Sequence, residues 1–104
     1  MFYQNLTGNM GDGWRDQHEA GRVYGDFVEE ALTKHLTATY PDAAIEVRVE
    51  TQRASGYSRW LAVVAAEMSA SEEAALQESL SYLVQELWGR FCTSDEGEAL
   101  YATD

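Results

Sequence analysis

Apolar residues recur at steps of three and four between residues 24 and 35. Tyr24, Phe27, Val28, Ala31, Leu32 and His35 share one face of a helix expected to span about residues 13–40. Asp12 is placed to cap its first turn, and Asp16 suits the positive end of the dipole. Gly21 and Gly25 each cost roughly 1 kcal/mol against Ala inside a helix. They either admit another backbone at close range or break the helix before Val23. Pro41 ends the segment. At 100° per residue, Glu19, Asp26, Glu29 and Glu30 fall opposite the apolar stripe, where an outward face belongs.

The period then changes from 3.6 to 2. Ile45, Val47, Val49 and Thr51 alternate with Glu46, Arg48, Glu50 and Gln52, the pattern of a strand with one wet face. The segment "ASGYS" reads as a turn. Residues 60–66 are continuously apolar, which predicts a second, more completely buried and central strand. The two form an antiparallel hairpin.

A second helix follows. Ser69 with Glu72 three residues on matches a capping box. Leu76, Leu80, Leu83, Val84, Leu87, Trp88 and Phe91 make its apolar stripe, while Gln77, Glu78, Gln85 and Glu86 mostly face elsewhere. Two strands alone are marginal in water, so "MFYQNL" at the start or "ALYAT" at the end should extend the sheet. The expected architecture is α+β: two amphipathic helices packed on a small antiparallel sheet, in the order (β)αββα. Residues 1–104 form a single domain, with 1–11 and 93–104 irregular or as short edge strands. A homodimer would hide an exposed sheet edge.

Charge changes the picture more than composition does. Eighteen acids against seven bases leave a net charge of −11. Residues 69–104 hold eight of those acids and one base, so the excess is concentrated in the C-terminal third. Such a surface is repelled by phosphates and by anionic lipid headgroups. The expected partner is a basic protein or nucleoprotein complex, without direct binding of nucleic acid or membrane. A hydrophobic share of 45% is ample for a folded core. The start of the chain lacks a basic, apolar secretory leader, and no apolar run is long enough to span a bilayer. One cysteine, Cys92, fits a reducing compartment, so the expected location is cytoplasmic.

Candidate chemistry thins out on inspection. His18-Glu19 begins a zinc-protease motif, but Arg22 stands where the second histidine is required. His35 falls on the expected apolar face, and Cys92 lies beside an apolar stripe. Adjacent carboxylates such as Glu29 and Glu30 point about 100° apart on a helix and cannot share one substrate atom. Neither a cofactor nor a metal is expected, and no catalytic residue is assigned.

The aromatics carry more. Tyr3, Trp14, Tyr57, Tyr82 and Tyr101 exceed what a small core needs, and exposed Tyr and Trp are common interface anchors. The resulting expectation is a small non-enzymatic inhibitor or binding protein. Glu19, Asp26, Glu29, Glu30, Tyr57, Glu78, Tyr82 and Glu86 would engage the partner's basic groove. Carboxylates spaced along a helix imitate a line of phosphates. In size and charge, though not in any motif, the chain is similar to small acidic DNA mimics carried by phages and mobile elements, anti-CRISPR proteins among them. The alternative is a dimeric ligand-binding module or enzyme that works on the sheet face with a histidine acid/base. A weaker reading makes Arg48, Arg53 and Arg59 of the hairpin a nucleic-acid contact.

Overall fold

The computed structural model describes residues 2–9, 14, 16–52 and 57–100, with the side chains of 8, 9, 17, 18, 51, 52, 57, 58 and 96 outside that description. The elements run β1 (Phe2–Asn9), α1 (Gln17–Thr39), β2 (Ala44–Gln52), β3 (Tyr57–Ala65), α2 (Ala70–Cys92) and α3 (Asp95–Leu100). The three strands form an antiparallel sheet in the order β1-β3-β2. The architecture is therefore α+β, as the pattern predicts. The N-terminal segment supplies the third strand, and the apolar run of β3 is central.

The alternation along the strands divides the sheet into two unlike faces. Phe2, Leu6, Val47, Trp60, Ala62 and Val64 are buried on one of them. Tyr3, Asn5, Thr7, Glu46, Arg48, Glu50 and Arg59 are exposed on the other. Both long helices cover the first face, α1 over β2 and β3 and α2 over β1. Each buried strand residue removes apolar area worth about 25 cal/mol per Å² from water.

Helix α1 departs from its sequence reading in where it starts and in which residues it buries, and of the two roles open to its glycines it takes close packing. It starts later, with Asp16 as its cap: the Asp16 carboxylate accepts from the Glu19 backbone N–H at 3.1 Å. It runs unbroken through Gly21 and Gly25, which are both buried. The absent side chains let the helix lie close on the sheet, and the Trp60 Nε1–H donates to the Gly25 carbonyl oxygen at 3.1 Å. That contact fixes the helix's rotation. The buried ridge is Tyr24, Val28, Leu32 and Leu36 at steps of four, and His35 is exposed instead of facing the core.

Helix α2 is capped as its sequence predicts. The Ser69 hydroxyl accepts from the Glu72 backbone N–H at 3.2 Å. Leu76, Leu80, Val84, Leu87 and Phe91 form its buried ridge. The chain then turns into α3, where a strand or frayed tail is expected from sequence. The Ser94 hydroxyl accepts from the Gly97 backbone N–H at 3.1 Å. A Cβ at Gly97 would stand 1.9 Å from the Phe91 carbonyl oxygen, so only glycine fits this close turn. Residues 101–104, including Tyr101, lie outside the described residues.

The two helices meet through aromatic rings. Tyr24 touches Trp60, Trp88 and Phe91 at centroid distances of 5.7, 5.2 and 5.1 Å. Phe27 touches Phe91 at 5.5 Å. Trp14, which the sequence leaves among the candidate surface anchors, is instead buried against Trp88 and Phe91. Burial pushes the Tyr24 hydroxyl up to about 12, with the neighbouring Cys92 adding to the shift. This cluster ties α1, α2 and β3 into one body and leaves the outer helix surfaces to carry the charge.

Candidate functional site

Of the eight residues singled out by sequence, four lie on α1 and three on α2, and their ion pairing differs. On α1, Arg22 lies between two of the acids. Its guanidinium reaches Glu19 at 2.7 Å and Asp26 at 3.6 Å. The hydrogen bond and charge of Glu19 hold Arg22 above its ordinary pKa. Glu30 pairs with Lys34 at 3.0 Å. These are i,i+3 and i,i+4 contacts that any helix brings together. Glu29 is half-buried on the flank, not on the outward face expected of it. Three of the four acids chosen on α1 are thus paired with the helix's own two bases, Arg22 being shared between two of them.

On α2, Glu78, Tyr82 and Glu86 follow one another at steps of four, so they stand in a single ridge about 12 Å long, at 1.5 Å per residue. All three are exposed, with Tyr82 at 63%. Tyr82 and Tyr3 are the two large hydrophobic residues exposed among the described residues. Glu86 pairs with Arg90 one turn further on, while Glu78 makes no ion pair among the described residues. Along its length α2 carries Glu72, Glu73, Glu78 and Glu86 against the single Arg90, with Asp95 and Glu98 of α3 beyond. Ser79, three residues before Tyr82 on the same face, is small and exposed. Tyr57 opens β3, but its side chain lies outside the described residues, as do Arg53 and the side chain of His18.

Between the helices runs a groove of about 420 Å³, lined by Phe27, Ala31 and Leu87 with Glu30, Lys34 and Arg90 at its rim. The rim bases are the partners of Glu30 and Glu86, so the groove is a balanced seam. Neither histidine lies on the open sheet face: both belong to α1, on the opposite side. Among the described residues no group of three His, Cys, Asp or Glu side chains could hold a metal ion. Burial raises the Cys92 thiol pKa, the reverse of what activates a nucleophile. No helix among the described residues is long and apolar enough to cross a membrane.

The exposed aromatic flanked by carboxylates was legible in sequence as Glu78, Tyr82 and Glu86. The ion pairing of the α1 acids was also partly legible, because Arg22 and Lys34 stand four residues from Asp26 and Glu30. The open sheet face enters from sequence only through the alternative reading of a ligand-binding module or enzyme; the unbroken apolar run of β3 is the signal that could have named its residues. In comparisons with known proteins, no family model matches the chain, and no curated protein or solved structure matches it.

Proposed function

We propose that this protein is a non-enzymatic binding protein. The outer ridge of α2 docks on a basic surface of another macromolecule, of the kind that otherwise holds nucleic acid. One observation carries the reading: Tyr82 is 63% exposed, and it stands between Glu78 and Glu86 on the most acidic part of the chain. A tyrosine anchor supplies apolar area at low entropic cost. The flanking carboxylates supply orientation and a fast, steered approach to arginines and lysines. An inhibitor that occupies a nucleic-acid channel, in the manner of anti-CRISPR DNA mimics, is the form of this reading that the charge fits best.

The reading predicts competition. A partner captured from the native host should be displaced by duplex DNA or another polyanion and by rising salt. It should be displaced equally by excess free protein. A captured partner that polyanions leave in place at every concentration overturns the proposal, because the ridge would then not occupy a basic site.

A further inference from the structure

We infer that the open face of the sheet is an interface between two copies of this chain, stacked sheet against sheet with the helices outward. The observation that points there is a mismatch. Residues 60–66 are apolar without interruption, the composition of a strand covered on both sides. The fold covers only one side: Trp60, Ala62 and Val64 are buried, while Leu61 and Val63 are half-buried and Ala65 is exposed. Tyr3 of β1, 59% exposed, flanks Val63 in the register. A central strand thus presents an apolar row to an open surface, framed by an exposed aromatic ring.

Charge selects the occupant. Among the described residues this face holds Glu46, Arg48, Glu50 and Arg59, which balance one another. Arg48 pairs with Glu46, and Arg59 pairs with Glu50 at 3.2 Å. The rest of the molecule carries the whole excess of −11. A basic partner is drawn to the helices instead, and nucleic acid finds no net attraction on the sheet. Two copies can approach here without setting like charge against like, which no acidic helix face allows.

The register makes the match specific. Tyr3 pairs with Val63 and Val63 with Glu46, while Asn5 pairs with Leu61 and Leu61 with Arg48. Consider a two-fold axis lying between the sheets, across the strands, between these two rows. It sets Leu61 of one copy against Val63 of the other, Arg48 against Glu46, and Asn5 against Tyr3. Apolar meets apolar and each Arg48 guanidinium meets a Glu46 carboxylate, while the paired Arg59 and Glu50 fall opposite the Ala65 and Ala44 row, in the aligned stacking usual for two sheets. Strands of this length, spaced as in any sheet, give a footprint of roughly 400 Å² per copy. That places the contact among weak, reversible interfaces, and the dimer should be strongly concentration-dependent.

Sedimentation equilibrium from about 1 µM to about 1 mM tests the inference, with far-ultraviolet circular dichroism to confirm folding. The wild-type chain should pass from monomer to dimer across that range. Arg48→Glu sits on an exposed side chain and leaves the core intact. It should raise the dissociation constant at least about tenfold, since it opposes like charges across the axis. Arg48→Glu combined with Glu46→Arg should restore association, and Leu61→Glu should abolish it. Glu86→Lys, on the far side, should leave it unchanged. A chain that stays monomeric throughout overturns the inference. So does a dimer indifferent to Arg48→Glu and Leu61→Glu, or a monomer that binds single-stranded oligonucleotides through Tyr3 and Arg48. The inference stands apart from the proposed function: ridge variants test that reading and leave this equilibrium alone.

Discussion

Helices α1 and α2 have the same length, 23 residues, and lie on the same face of one sheet, yet their outer surfaces are electrostatically unlike. Each carries four acids among its residues. On α1, Arg22 and Lys34 engage Glu19, Asp26 and Glu30. On α2, Arg90 pairs with Glu86, and Glu78 makes no ion pair among the described residues and stands beside an exposed tyrosine. The number of acids does not make a docking surface. What matters is whether the helix's own bases have already answered them, and whether an apolar anchor stands among those left over. Exposed ion pairs of the α1 kind contribute little to stability, but they cancel the local field that a basic partner would sense.

The comparison presupposes that both helices are held on one plate, and Trp60 is its centre. Trp60→Ala should cost about 3–5 kcal/mol, through the cavity and the lost Gly25 hydrogen bond. Urea denaturation reads this directly, and a loss under about 1 kcal/mol would mean that α1 is not seated as described.

The next largest effect is in alkali, where Tyr24 joins the two helices. Its folded pKa, about 12, lies above the ordinary value of 10.0, because burial disfavours the phenolate. The unfolded chain therefore loses this proton first. The stabilisation is complete below pH 10 and falls as pH rises from 10.0 to about 12, by on the order of 2–3 kcal/mol. Cys92, raised by the same cause, brings the decline on earlier. Thermal melts across this range should show it, and Tyr24→Phe should flatten it.

Tyr82→Ala probes the difference between the helices themselves. Affinity for the partner should fall roughly 30-fold, a loss of about 2 kcal/mol typical of an interface anchor. Folding stability should hold within about 0.5 kcal/mol, since the ring is exposed. The smallest effect sharpens the contrast from the other side. Arg22→Gln frees Glu19 and Asp26 and makes α1 resemble α2. The melting temperature should not resolvably change, while the association rate with a basic partner should rise modestly at low salt.

Much of this fold is written locally. The β2 alternation, the unbroken β3 run and the Ser69–Glu72 cap each follow from neighbours in sequence, and each appears where the pattern puts it. What local pattern missed depends on distant contacts. The rotation of α1 follows from buried Gly25 meeting Trp60, which no helical period reveals, so His35 is assigned to the wrong face. Trp14 is buried by rings more than seventy positions away in the chain. The α3 turn depends on the Ser94 hydroxyl and the bare Gly97. The ridge of Glu78, Tyr82 and Glu86 was readable because steps of four define a helix face whatever packs beneath it. Helical phase does not reveal which acids are already paired: Glu19, Asp26 and Glu30 reach Arg22 and Lys34, whereas Glu78 makes no ion pair among the described residues.

The central claim is that docking belongs to the α2 ridge and not to acidity at large. Quantitative capture from the native host, with wild type beside two variants of equal charge change, tests it most directly. The account predicts that Asp26→Lys with Glu30→Lys retains a basic, nucleic-acid-binding partner, while Glu78→Lys with Glu86→Lys loses it. Equal loss from both helices, or equal retention by both, would contradict it.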